Sequence, residues 1–332
     1  MGGAMTGWRA AALWLLFAVI MLSLPLFISN GTMRIIIFAN FLAIFAMSWD
    51  FLSGKTGYIS FGHPFLVGIG AYTTAILSYR FGVPVSISIP LAVLATMAGG
   101  TFFFLPALRI KGTYFALVTL AFMELIYQLV QVIRPDITGG TRGISGVKTL
   151  LSGAMPNYYL SFCLMFVIAL VLWLLSRTRL GTALDAIAMN EEAVRGSGLD
   201  TNKLKLFAFM VSACVAGIGG AFYVHYLGSI APRALFDINF VFTIIVSALI
   251  GGASTIVGPM LGAFFMTFLL EYLRPLLPGS ERYFVYGIIA LVLYVYQPKG
   301  ISEIIRSLTS AQRVKPDAGT EPVGEGGRDK TA

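Results

Sequence analysis

The chain has 332 residues, 57% apolar and only 11% charged, with a net charge of +8. A soluble domain carries about 25% charged residues, and so apolar a chain lacks the polar surface to cover a water-exposed core. The positive charge does not point to nucleic acid, because the basic residues lie at the ends of apolar runs and form no basic–aromatic stripe.

Apolar runs of about 20 residues, each long enough for a helix to cross roughly 30 Å of hydrocarbon, predict an all-α, polytopic transmembrane bundle. The first run follows Arg9 and extends from Ala10 to Ile28. It is too long for the apolar core of a signal peptide, and no small-x-small cleavage site follows, so it reads as a retained span. Candidate spans cover 10–29, 33–52, 60–79, 84–108, 112–133, 158–176, 206–227, 238–252, 257–273 and 283–297. The eighth and ninth are short and interrupted by glycine, as half-spans or a re-entrant pair would be, so eight or nine full spans are the alternative to ten.

Ten spans put both termini on one side. One side collects fifteen basic residues, among them Arg9, Lys55, Arg109, Lys111, Arg177, Arg179, Arg195, Lys203, Lys205 and Lys299, against eight on the other. The excess marks the first side as cytoplasmic. Residues 134–157 then form a Gly-rich external loop, and 177–205 the longest polar cytoplasmic segment between spans. After Ile301 the sequence turns rich in Pro, Gly and charge, so 1–305 read as the membrane domain and 306–332 as a largely disordered tail.

The segment 177–205 carries order signals. Thr182 and Asp185 have capping-box spacing; Leu184, Ile187, Ala188, Glu191 and Val194 share one helical face. Gly196 and Gly198 can end that helix and Asp200 can cap the next. Glu192-Ala193-Val194, three residues and Gly198 spell E-A-V-x-x-x-G, a short amphipathic helix suited to a partner's groove or to lying on the membrane surface.

No phosphate-binding G-x-x-x-x-G-K-[ST] loop, H-E-x-x-H, nucleophile elbow or Cys/His cluster appears. The sequence therefore offers no catalytic set and no metal or cofactor site. Cys163 and Cys214, both inside apolar runs, read as packing residues. Ionisable groups within spans are functional candidates, since burying charge in lipid is expensive. Asp50, beside Trp49, reads as a solvated interfacial carboxylate. Glu124, near the middle of the fifth span, is expected to line the bundle interior or a water-filled path, or to satisfy an inter-helix hydrogen bond. His225 reads as packed and hydrogen-bonded, and Glu271 as paired with Arg274. Gly57, Gly62, Gly68 and Gly70 cluster at the third span, and Gly251, Gly252, Gly258 and Gly262 at the eighth and ninth. Such glycines serve close helix packing or mark a transport site.

With this pattern the polar segment resembles the coupling loop of bacterial ABC import permeases, E-A-A-x-x-x-G, with Val194 in place of the second alanine. Over residues 33–305 the chain resembles LivM-type permeases of branched-chain amino acid importers. The stretches that carry the resemblance are GYISFGHPFLVGIGAY (Gly57 to Tyr72), RIKGTYFALVTLAF (Arg109 to Phe122), TGGTRGISGV (Thr138 to Val147), EEAVRGSGLDTNKLKLFAF (Glu191 to Phe209), ALIGGASTIVGPMLGAF (Ala248 to Phe264) and YGIIALVLYVYQPKGI (Tyr286 to Ile301). The resemblance implies a bacterial inner-membrane importer with a second, LivH-like permease, two cytoplasmic ATPase subunits and an external substrate-binding protein. Glu191, Glu192, Ala193, Val194, Arg195 and Gly198 would then couple to the ATPases. Glu124, Gly57, Gly62, Thr138, Gly139, Gly140, Gly251 and Gly252 are candidates for the pathway or its gating. Leucine, isoleucine and valine are the expected cargo, with urea or short-chain amides, or a sugar, as alternatives. A secondary carrier without ATPases would need a connected acidic relay, and the scattered carboxylates do not form one.

Overall fold

The computed structural model describes residues 7–107, 110, 112–277, 279, 281–296 and 300–302. The predicted tail 306–332 and the basic positions Arg109, Lys111 and Lys299 lie outside them. In chain order the helices are α1 (Gly7–Ser23), α2 (Asn30–Trp49), α3 (His63–Arg80), α4 (Val85–Ala107), α5 (Thr113–Val132), α6 (Pro135–Thr138), α7 (Ala154–Ser176), α8 (Arg179–Gly196), α9 (Thr201–Leu227), α10 (Pro232–Leu235), α11 (Ile238–Gly251), α12 (Val257–Leu273) and α13 (Glu281–Tyr296). Each of the ten predicted spans holds one helix. Among the described residues, six helical segments are long and apolar enough to cross a membrane, while Trp14–Leu26 and Val257–Leu273 are shorter apolar helices. Among the described residues the strand structure is one antiparallel two-residue pair, β1 (Ile144–Ser145) with β2 (Ser229–Ile230).

α2 forms the axis. Its cap is Ser29, whose hydroxyl accepts the Thr32 N–H, and fourteen of its residues are buried. A helix apolar all round has no solvent face and must sit at the centre. α9 crosses α3 against it, and the crossing is set by glycine: a Cβ on Gly70 would meet the backbone of Gly217, and one on Gly220 would meet the Val67 carbonyl. α11 and α12 are drawn together likewise, Gly251 against Gly258 and Gly262 against the Ser247 carbonyl. Removing side chains lets backbones approach where hydrocarbon offers no hydrophobic drive for association. α1 lies at the edge on α7, with Trp14 edge-on to Phe166 and Trp173 and the Tyr158 hydroxyl donating to the Met21 carbonyl at 2.8 Å.

α2 does not stop where the sequence put its end. It continues through a π-helical turn, Asp50–Gly54, and Asp50 is fully buried, contrary to the solvated carboxylate expected. Its Oδ1 accepts the Ser254 N–H at 2.6 Å and its Oδ2 the Ile256 N–H at 3.4 Å, while the Ser254 hydroxyl donates to the Gly54 carbonyl at 2.7 Å. Ser254 and Ile256 both have positive φ, 67° and 60°, a strained backbone for side-chain-bearing residues. The α11–α12 bend is thus held in shape by a carboxylate from α2 (a long-range partnership that local sequence does not reveal).

Candidate functional site: a charged clamp beneath α8

α8 differs in detail from the predicted helix 182–196. It starts at Arg179, with Thr178 as its cap accepting the Gly181 N–H, and it kinks at Asn190 (φ −160°, ψ 98°). The Thr182/Asp185 capping box does not form: the Thr182 hydroxyl donates to the Thr178 carbonyl, and the Asp185 carboxylate is turned to Lys55. The predicted face is otherwise recovered, with Leu184, Ile187 and Val194 buried; Ala188 is exposed but packs beside Gly57, whose φ is +75°. Beyond the kink Asn190 caps a second short turn, its Oδ1 accepting the N–H groups of Glu192 and Ala193 at 3.1 and 3.0 Å. Gly198 then adopts φ +88°, and Asp200 caps α9 by accepting from Asn202 and Lys203, as expected.

Two ion pairs pin this segment to the bundle. Lys55 Nζ donates to both oxygens of Asp185 at 2.9 Å. Glu191 gathers the rest: Oε1 accepts from Arg195 at 2.8 Å, Lys205 at 3.0 Å and Thr201 at 3.1 Å, and Oε2 from the Tyr58 hydroxyl at 2.5 Å. The Lys205 ammonium also sits 4.5 Å from the centre of the Tyr58 ring. Its side chain is 3% exposed and that of Glu191 12%, so each charge depends on the other for solvation. Burial raises the Glu191 pKa, but the Tyr58, Lys205 and Thr201 donors outweigh it and bring the carboxyl to about 2. The Tyr58 hydroxyl is pushed upward by burial and by its bond to the Glu191 carboxylate.

On the other side of α8 the surface is bare of the bundle: Met189, Glu192, Ala193 and Gly196 are exposed, Met189 at 87%. An exposed unbranched apolar side chain beside charges is a common binding-surface composition. Of the predicted coupling residues, Glu191, Val194 and Arg195 therefore face inward or sideways into the clamp, and Glu192 and Ala193 face out. Sequence reasoning missed Lys55, Tyr58 and Lys205. Lys55 beside the Gly57–Tyr72 stretch, and Lys205 just inside an apolar helix, are charges placed where charge is expensive. That is the signal available in the sequence.

The other candidates fall elsewhere. Thr138, Gly139 and Gly140 cap the far end of α5: the Thr138 hydroxyl donates to the Val130 carbonyl at 2.7 Å, and Gly139 and Gly140 have φ of 78° and 56°. His225 is buried and bonded to Thr74 (2.9 Å) and the Lys148 carbonyl (2.6 Å), and Glu271 pairs with Arg274 at 3.4 Å, both as expected. Gly62, Gly251 and Gly252 sit at close backbone approaches, Gly62 to the Thr119 carbonyl and Gly252 to Gly300. Glu124 is a correction: it is not inside the bundle but exposed on the outer face of α5, where Gln128 donates to its Oε1 at 2.7 Å. Cys163 is likewise exposed and not packed. At the end away from α8 a cavity of about 480 Å³ opens, lined among others by Tyr223, Asp237, Phe240, Glu271, Arg274 and Arg282.

The model of the branched-chain amino acid transport system / permease component family matches residues 31–295. The chain belongs to that family. It is a multi-pass membrane permease of the LivM type. Its sequence is 27% identical over 317 residues to the high-affinity branched-chain amino acid transport system permease protein LivM of Escherichia coli K12, covering 87% of this chain and 74% of the relative. A probable branched-chain amino acid transport permease protein LivM from Methanocaldococcus jannaschii is 26% identical over 267 residues, 74% of this chain and 77% of the relative. The ribose import permease protein RbsC of Haemophilus influenzae is 26% identical over 280 residues, covering 82% and 86%. No solved structure matches.

Proposed function

We propose that the chain is a membrane-spanning subunit of an ATP-driven importer that carries branched-chain, aliphatic amino acids inward across a bacterial plasma membrane. Its partners would be a second, LivH-like permease, two ATPase subunits on the α8 side, and a soluble binding protein at the opposite end, where the 480 Å³ cavity opens. One observation carries the reading: α8 is clamped to the bundle by the Glu191 and Asp185 ion pairs while Met189, Glu192 and Ala193 stand out from it. A push on that outward face moves Lys55, Tyr58 and Lys205 with it, and these sit on the segment after α2 and on α9. ATP-driven closure of the partner subunits would thereby reorient the helices and alternate access. The family match and the LivM relatives support amino acid cargo. The likeness to a ribose permease favours a second reading, a sugar importer of the same architecture.

The test is gentle affinity purification from native membranes with partners identified by mass spectrometry. A phosphate-loop ATPase and a second permease are expected to co-purify with the wild-type chain and to be lost with Glu192→Lys, together with ATP-driven leucine uptake. Retention of both by Glu192→Lys rules out docking through this face. A transport-active chain isolated alone replaces the importer with a secondary carrier.

A further inference from the structure

The outer face of α5 is a contiguous exposed stripe: Leu117, Ala121, Glu124 with Leu125, and Gln128, at helical spacing. The opposite face, Phe115, Ala116, Thr119 and Met123, is buried in the bundle. Glu124 is the twelfth of the twenty residues of α5, so at 1.5 Å per residue it lies about 17 Å along the helix, near the middle of an apolar span. Facing hydrocarbon there, a carboxylate is destabilised and needs water or a counter-charge. Among the described residues Gln128 is its one hydrogen-bond partner and no cation pairs with it; Gln128 steadies Oε1 and leaves Oε2 open. Leu117 and Leu125 on this stripe are compatible with lipid, and Glu124 is the residue that calls for water or a protein partner on this face.

We propose that the α5 stripe walls the water-filled translocation path and that Glu124, oriented by Gln128, receives the ammonium group of the passing substrate. The inference rests on the amino acid reading above and extends it to a residue that reads the cargo's charge. A carboxylate suits an ammonium and has no counterpart in an uncharged sugar. Glu124 also sits between the two ends already described, one turn and a half below Thr138's bond to Val130 and on the same helix whose other face abuts Gly62.

The test uses the full chain in native membrane vesicles, with Cys163→Ser and Cys214→Ser removing the two native thiols and Ala121→Cys placing one thiol a turn from Glu124. Two water-borne methanethiosulfonates are compared, one bearing a trimethylammonium and one a sulfonate. Both are expected to react, the cation about tenfold faster, with that preference collapsing when Glu124→Gln is added. Leu117→Cys, one turn further, repeats the measurement should Ala121→Cys fail to accumulate. No reaction with either reagent means the stripe faces lipid or is sealed by protein, and overturns the proposal. Equal rates, or a cation preference indifferent to Glu124→Gln, overturn the ammonium role, including the case in which a basic residue of a partner neutralises Glu124. Because the labelling ratio needs no transport, its failure is distinct from failure of the importer reading, which co-purification decides.

Discussion

Lys205 lies almost wholly beneath Glu191 and Tyr58, and the energetics of the α8 clamp follow from that. A buried ion pair adds little over an apolar substitute, but removing one partner strands the other charge and costs about 3–5 kcal/mol. Glu191 is ionised down to about pH 2 because its donors outweigh burial. A carboxyl with a depressed folded pKa stabilises the fold above its unfolded value, and that contribution fades as pH falls through the folded one. The melting temperature of the detergent-purified protein should therefore exceed that of Glu191→Gln by its full margin above about pH 5, and the margin should shrink as the pH approaches about 3. A margin that is constant with pH would mean that Glu191 acts through shape alone. The sequence presented Glu191 as part of a docking motif. The structure turns Glu191 inward to the clamp and leaves Glu192 exposed beside Met189 and Ala193.

Among the elements, α8 shows how a local signal is overridden. Thr182 and Asp185 have the spacing of a capping box, yet Thr178 caps the helix one turn earlier and Asp185 is drawn to Lys55, 130 residues away. A charged, nearly buried ammonium outbids an N–H group that a threonine can satisfy. The kink at Asn190 was equally hidden, because a capping residue in mid-helix reads as a solvated polar position. Asn190→Ala removes the acceptor for the Glu192 and Ala193 N–H groups and should cost about 1 kcal/mol. It should also free the outward turn, which hydrogen exchange at residues 191–196 would report as faster exchange with the rest of α8 unchanged. Exchange unaltered there would show that the clamp, not the cap, holds the turn.

For the whole molecule, the clamp is one end of a connected route. α8 grips Lys55, Lys55 follows the π turn, and the Asp50 carboxylate within that turn holds the strained bend between α11 and α12. α9 spans the bundle from the clamp to the β1–β2 pair and the Thr138–Lys148 loop, about 40 Å for 27 residues at 1.5 Å each. The two ends lie on opposite sides of the membrane if the basic residues are distributed as the positive-inside rule requires. Alkaline phosphatase fused after Lys148 should accordingly be active outside the cell and inactive when fused after Gly196, and the reverse pattern would invert the proposed orientation.

The sequence by itself determined that this is a helical membrane protein, where the helices within its ten predicted spans lie to within a few residues, and the family to which it belongs. Apolar run length, capping residues such as Asp200 and short motifs are local, and the hydrocarbon leaves a backbone no alternative to pairing within its own helix. Only the tertiary structure decided which charges meet. Lys55 with Asp185, Tyr58 and Lys205 with Glu191, and Asp50 with Ser254 are separated by between 14 and 204 residues. It also turned Glu124 outward and Asp50 inward, the reverse of what their positions along the spans suggested. A charge's depth can be counted along a helix, but the side it faces depends on which neighbours pack against that helix.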